Sequence, residues 1–296
     1  MQGMLRTFGM LFPLLAVSAL AADVKSGLAA HNVKTYTVTS EALGSERKVN
    51  VLLPVDYDKS TARYPVLYLL HGYSDDHTAW ALMTNLTGYA ARHKVIVIMP
   101  DGGLSFYVNA AGDPKAKFED FIAKDLVTFA DSNLRTIPLP RARAIAGLSM
   151  GGYGAAFIGL KHRNRFSAIG AFSGALSYAR MPAPANSANL DERMKKRAEE
   201  MMTIMGAPES PARTERDPFA FIEKLDAAAA PMIYIACGGQ DFLIEGNRDF
   251  IKALAAKKIP YEYREVSPRG HTWDFWDDQI RIFLEMLDGK AGWKAD

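Results

Sequence analysis

A series of short, almost unbroken apolar runs punctuates the chain: Val66–Leu70, Val95–Met99, Ala142–Leu148, Ala168–Phe172 and Met232–Cys237. Runs of this length suit parallel strands covered on both faces. Tyr36–Ser40 and Arg47–Leu53 instead alternate apolar and polar residues, as half-buried antiparallel strands do. Tyr261–Val266 alternates as well and belongs nearer a sheet edge. Between the runs lie helical patterns. Phe118–Asn133 sets Phe118, Phe121, Ile122, Leu126 and Phe129 at helical spacing, Tyr153–His162 is small and apolar with a basic end, and Asn247–Lys258 and Trp273–Leu287 are amphipathic. Strands alternating with helices predict an α/β fold. Its central sheet would be mostly parallel, with antiparallel N-terminal strands and helices on both faces.

The rhythm breaks between Gly174 and Ala230, a stretch with Pro182, Pro184, Pro208, Pro211 and Pro218 and a charged helix candidate around Leu190–Met205. This reads as an insertion between two core strands, either a cap over a ligand site or a surface excursion. Met201, Met202 and Met205 within it read as packing. With no internal repeat or low-complexity tract, the expectation is one catalytic domain over 22–296 with an insertion at about 174–230. The tail from Gly289 to Asp296 reads as loosely held.

Residues 1–21 read as a secretory signal peptide: Arg6 is the only charge before Asp23, Phe8 to Ala16 is apolar, and Ala19-Leu20-Ala21 precedes a cut before Ala22. The apolar run is short for a membrane span and is broken by Pro13, so no stable membrane insertion is expected after cleavage. The predicted location is secreted or periplasmic. Cys237 is the only cysteine, which leaves no internal disulfide, and it reads as a buried strand-end residue. A formal net charge of +2 gives no footing for a nucleic-acid partner.

The chemistry is carried by Gly147-Leu148-Ser149-Met150-Gly151. The pattern alone is common, but here it joins a predicted strand to a predicted helix. A serine on such an elbow is raised above the sheet edge, flanked by small residues and aimed at by the free N–H groups of the helix start. Its acid and base are then expected downstream, acid first. His271, in a loop after the last strand, is the candidate base, whereas His162 lies a helix length away and reads as solvated or C-capping. Asp241 follows Met232–Cys237 and is the candidate acid, with Glu245 in reserve, while Asp274 and Asp277 suit the start of the final helix. The oxyanion donors would be the backbone N–H groups of Met150 and of Tyr73, which follows Gly72. His71 reads as structural, and His77 and Trp80 as pocket-lining candidates.

His71-Gly72, Pro100-Asp101-Gly102-Gly103, Gly147-Leu148-Ser149-Met150-Gly151-Gly152, Gly238-Gly239-Gln240-Asp241 and Gly270-His271-Thr272-Trp273 together resemble the esterase D / feruloyl esterase superfamily. That group includes S-formylglutathione hydrolases, tributyrin esterases, carbohydrate acetylesterases and mycolyltransferases. The resemblance spans roughly Val33 to Leu287. It implies an α/β-hydrolase fold, a Ser149–Asp241–His271 triad, backbone donors at Tyr73 and Met150, and neither a metal nor an organic cofactor. Tyr107 and Asn109 would either border the substrate pocket or pack a loop. Trp273 would either stack on an acyl group or sugar, or anchor the last helix. The stretch Gly174–Ala230 does not align with the family and is expected to govern substrate choice.

The expected function is an exported serine carboxylic-ester hydrolase. Its substrates would be feruloyl or short-chain acyl esters, small or polysaccharide-linked, of the plant-polysaccharide type. The alternatives are an S-formylglutathione hydrolase-like thioesterase or general short-chain esterase, an acyltransferase of the mycolyltransferase kind, and a binding protein on the same scaffold. The oligomeric state is left open by the sequence.

Overall fold

The computed structural model describes residues 32–182 and 191–295, so the segment read as a signal peptide, residues 1–21, lies outside the described residues. Eight strands form one sheet: β1 (Val33–Ser40), β2 (Ser45–Leu52), β3 (Val66–Leu70), β4 (Ile96–Pro100), β5 (Arg143–Leu148), β6 (Ala168–Phe172), β7 (Met232–Gly238) and β8 (Glu262–Val266). Their order across the sheet is β1-β2-β4-β3-β5-β6-β7-β8. β1 pairs antiparallel with β2, from Val33 opposite Leu52 to Ser40 opposite Ser45, and β2 antiparallel with β4. Every pairing from β4 to β8 is parallel.

The side-chain period of two divides each central strand between two cores. In β3, Val66, Tyr68 and Leu70 join one cluster, while Leu67 and Leu69 join the other. No residue of β3, β4, β5 or β6 escapes burial, which explains their unbroken apolar sequences. β8, covered by a neighbour on one edge only, has no buried position: Tyr263 and Val266 are half-buried and the rest exposed.

The helices are α1 (Ala79–Met83), α2 (Leu86–His93), α3 (Phe118–Asp120), α4 (Leu126–Asn133), α5 (Met150–Lys161), α6 (Glu192–Met205), α7 (Pro211–Thr214), α8 (Pro218–Ile222), α9 (Ile244–Ala256) and α10 (Trp273–Asp288). α4, α5 and α9 cover the first face through Leu126, Phe157 and Phe250. α2 and α10 cover the second through Leu86, Ile280 and Phe283. The sequence reading of one helix over Phe118–Asn133 needs a refinement, because Phe121–Asp125 between α3 and α4 is a π-helical turn. The wider turn keeps Phe121 and Ile122 buried, and Asp125, which closes it, accepts from Ser40 Oγ at 2.5 Å and Ala42 N at 3.0 Å. The carboxyl-terminal tail is docked, contrary to expectation. Trp293 is buried, and Lys290 Nζ donates to Arg141 O at 3.0 Å.

α6, α7 and α8 belong to the segment between β6 and β7. α6 ties into the loop after β4, where Ala111 N donates to Ile204 O at 3.0 Å and Gly112 N to Thr203 O at 2.8 Å. Met201 and Met205 are buried there, while Met202 is exposed.

Candidate active site

β5 enters α5 through a single residue, Ser149, which has φ 52° and ψ −114°. A non-glycine residue at positive φ is strained by about 1–3 kcal/mol and persists only where its surroundings hold it. Here Ser149 N donates to Phe172 O at 2.9 Å, and Ser149 O accepts from Tyr153 N and Ala175 N at 3.1 and 3.0 Å. Two glycines make the elbow possible by close approach. A Cβ on Gly147 would lie 2.5 Å from the Gly151 carbonyl carbon, and one on Gly151 would lie 2.4 Å from Leu70 O.

The loops after β7 and β8 bring two further side chains to this serine. His271 Nε2 lies 3.1 Å from Ser149 Oγ, and His271 Nδ1 lies 2.8 Å from Asp241 Oδ2. The second contact fixes the tautomer: Nδ1–H donates to the carboxylate, which leaves the Nε2 lone pair facing the serine hydroxyl. Asp241 is buried, and burial opposes its ionisation. Hydrogen bonds from His271, from the Ser173 hydroxyl and from Leu243 N–H outweigh that and hold the carboxyl below its usual value. Ser173 is itself fully buried at φ 45° and accepts from Trp276 Nε1 at 3.1 Å. Glu245, the reserve acid, instead pairs with Arg248 at 2.5 Å.

The loop after β3 carries the second expected donor. Gly72 N donates to Asp75 Oδ2 at 3.1 Å, which turns the chain so that Tyr73 lines the cleft in front of Ser149. Among the described residues no acceptor engages the Tyr73 N–H. Met150 opens α5, so its N–H has no intrahelical acceptor. His71 braces this loop. It sits 2.7 Å from Gly72 O through Nδ1 and accepts from Gly102 N at 2.9 Å through Nε2. Burial pushes its pKa down, in keeping with a neutral ring.

Of the four side chains expected to bind substrate, only Trp273 lines the cleft. Trp80 is buried and donates from Nε1 to Leu70 O at 2.9 Å, so it holds the end of β3. Tyr107 is fully buried, with its hydroxyl donating to His71 O at 3.1 Å. Asn109 accepts from Asp120 N at 3.1 Å through its side chain and from Arg216 Nε at 2.8 Å through its carbonyl. Both are bracing residues rather than cleft walls, and His77 also stands outside the cleft lining. His162 is the C-cap of α5, donating its N–H to Ile158 O at 2.8 Å, and its ring pairs with buried Glu119 at 2.7 Å rather than standing free in solvent.

The cleft itself encloses about 380 Å³. Around the loop after β3 it is walled by Tyr73, Phe106, Tyr178 and Arg197, and around His271 by Phe242, Leu243, Trp273 and Trp276. Phe242 is 77% exposed, yet its ring centroid is only 4.6 Å from that of His271. Ser173, Phe242, Phe106, Tyr178 and Arg197 were missed in the sequence because none sits in a patterned motif. Phe242, next to Asp241, and Phe106, next to Tyr107, had a positional signal. Among the described residues no group of three or more His, Cys, Asp or Glu side chains is arranged for a metal ion, and no helix is long and apolar enough to cross a membrane.

A family model named Esterase, described as "Putative esterase", matches residues 40–284. The chain belongs to this esterase family. It is 32% identical over 263 residues to an acetyl esterase of Caldicellulosiruptor saccharolyticus, covering 84% of this chain and 95% of the relative. It is 31% identical over 271 residues to an esterase of Mycobacterium tuberculosis, covering 85% of this chain but only 58% of that longer protein. Among solved structures, the fluorophosphonate-binding serine hydrolase F of Staphylococcus aureus superposes with a TM-score of 0.73 at 27% identity, covering 86% of this chain and 98% of the other. A ferulic acid esterase does so with a TM-score of 0.73 at 26% identity, covering 88% and 98%. The esterase therefore has the α/β-hydrolase fold and is a serine carboxylic-ester hydrolase.

Proposed function

We propose that the esterase works through an acyl-enzyme on Ser149, with His271 as general base and acid and Asp241 as its orienting carboxylate. The observation that carries this reading is the unbroken contact chain Asp241–His271–Ser149 at the wall of an open cleft. In acylation Ser149 Oγ attacks the ester carbonyl while its proton passes to His271 Nε2. The ionised Asp241 stabilises the imidazolium, which then protonates the departing alcohol. The tetrahedral oxyanion is held by the Tyr73 and Met150 N–H groups, each donor of this kind being worth about 10²–10³ in rate. Water then gives a proton to His271 Nε2 as its oxygen attacks the acyl carbonyl; the bond from that carbon to Ser149 Oγ breaks, the acid leaves, and His271 returns the proton to Ser149 Oγ.

The substrates we propose are acetyl and feruloyl esters of carbohydrate alcohols. Two relatives named acetyl esterase and ferulic acid esterase support the acyl groups. Phe242 and Trp273 beside the base offer aromatic faces on which a sugar can stack. The leader-like residues 1–21 support export.

Ser149→Ala should lower kcat on 4-nitrophenyl acetate by at least about 10⁴-fold with an unchanged melting temperature, and near wild-type turnover would overturn the mechanism. A panel of acetyl, butyryl, longer-chain and feruloyl esters tests the substrates, and a clear preference for the longer chains would refute that part. Amino-terminal sequencing of the native exported protein should begin at Ala22.

A further inference from the structure

The arginines of the segment between β6 and β7 differ in how their charge is used. Arg180 pairs with Asp217 at 2.7 Å. Arg213 is buried and donates to Ala179 O and Gly206 O at 3.1 and 3.2 Å. Arg216 donates to Asn109 O at 2.8 Å. Arg197 on α6 does none of these things. Its guanidinium carbon lies 4.9 Å from the Tyr73 ring centroid, it lines the cleft with Ser149, and no carboxylate among the described residues lies within ion-pair reach of it.

The guanidinium rests against the Tyr73 ring and its N–H groups bond to no other described residue, which leaves them available to meet a carboxylate through two parallel bonds. The one negatively charged side chain among the described cleft-lining residues, Asp75, is engaged by Gly72 N–H at 3.1 Å and does not reach Arg197. The cleft therefore presents a positive, hydrogen-bond-donating group beside the loop that carries Tyr73, and no ion pair joins it to Asp75 or to any other described carboxylate.

We propose that Arg197 selects esters that carry a carboxylate, received by its guanidinium while the ester carbonyl sits between Ser149 and the oxyanion donors. This rests on the acyl-enzyme reading above; a carboxylate on the alcohol narrows the substrates proposed there, and one on the acyl group replaces their acyl part. The carboxylate can belong to the acyl group, as in the half-ester of a dicarboxylic acid, or to the alcohol, as in a uronic acid.

Two matched pairs of esters separate these sources. On the acyl side are mono-4-nitrophenyl adipate and its methyl ester, and on the alcohol side the acetate esters of 4-hydroxybenzoate and 4-hydroxybenzamide. The readout is the ratio of kcat/KM for the charged ester to that for its neutral partner, in the full-length protein. In Arg197→Gln that ratio should fall about fivefold to tenfold in one pair, which identifies the side. Arg197→Lys should keep part of the preference, and added salt should weaken it in the wild type because Arg197 is exposed. Mere loss of packing over Tyr73 would scale both members of a pair together. An unchanged ratio in both pairs would therefore overturn the proposal. If the wild type cleaves all four esters without any dependence on Arg197, only this inference fails. If it cleaves none of them, the ester-hydrolase mechanism fails and takes this inference with it.

Discussion

Gly151→Ala tests whether Ser149 and the loop carrying Tyr73, the proposed nucleophile and oxyanion donor, are held at a fixed spacing by backbone contact alone. The added methyl carbon would lie 2.4 Å from Leu70 O and 2.6 Å from His71 O, both backbone atoms at the end of β3. Ordinary contact begins near 3.4 Å, so α5 and the end of β3 must part by about 1 Å. Leu70 O cannot swing aside freely, because it also accepts from Trp80 Nε1 at 2.9 Å. Overpacking of this kind costs about 1–3 kcal/mol. At about 2–4 °C per kcal/mol for a chain of this size, the melting temperature should fall by about 2–12 °C. The effect on rate is separate. Tyr73 follows His71 closely and Ser149 precedes Gly151 by two residues, so the displacement transfers to the gap between donor and nucleophile. A misplacement of about 1 Å is enough to cost about 10²-fold in kcat/KM. The assay pairs thermal melts with 4-nitrophenyl acetate hydrolysis, and Gly289→Ala is the control, since a Cβ there meets only Met286 O at 3.5 Å. A Gly151→Ala protein with wild-type melting and kcat/KM would refute the reasoning.

Ser173→Ala should lower kcat about tenfold, because Asp241 loses a donor, and should destabilise the fold by about 1–3 kcal/mol, because Trp276 Nε1 is left unpaired; an unaltered kcat would show that the hydroxyl does not position the acid. Glu119 is buried, yet Lys161 and His162, at 2.9 and 2.7 Å, hold its carboxyl below the usual value. A depressed folded pKa stabilises the fold above the unfolded value of about 4.3, and that stability is lost as pH falls through the folded value. Urea midpoints below about pH 4 should therefore decline more steeply in the wild type than in Glu119→Gln, and parallel slopes would contradict the linkage. Burial pushes the Cys237 thiol up to about 12, so Ellman's reagent at pH 8 should label it only in urea; rapid labelling of the folded protein would show that the strand end opens.

The central strands were legible because burial on both faces leaves no room for polar residues, as in Val66–Leu70 and Ala168–Phe172. The serine, aspartate and histidine were legible as well, since each follows a strand whose end could be located, and the structure brings all three within hydrogen-bond reach. Proximity in sequence failed where the direction of a side chain mattered. Trp80 and Tyr107 sit near motif residues, but one is turned under β3 and the other, at φ 58°, points inward to His71 O. The π-helical turn at Phe121–Asp125 has the same apolar spacing as an α-helix over so few residues. Arg197 and Tyr178 reach the cleft by the path of a long inserted segment, which no local periodicity encodes.

The site is assembled from chain segments that are far apart in order of synthesis. Ser149 and His271 are separated by 122 residues, and His271 arrives on a loop that follows β8, the last strand and the most exposed of the parallel set. Contacts of such range close late, since loop entropy must be overcome before they form. A nascent chain that has already folded β1 to β7 would carry Ser149 and Asp241 but not His271, the base of the proposed mechanism. On the proposed mechanism, catalytic competence appears in a single step when β8 docks, and recovery of activity during refolding measures completion of the sheet rather than its beginning.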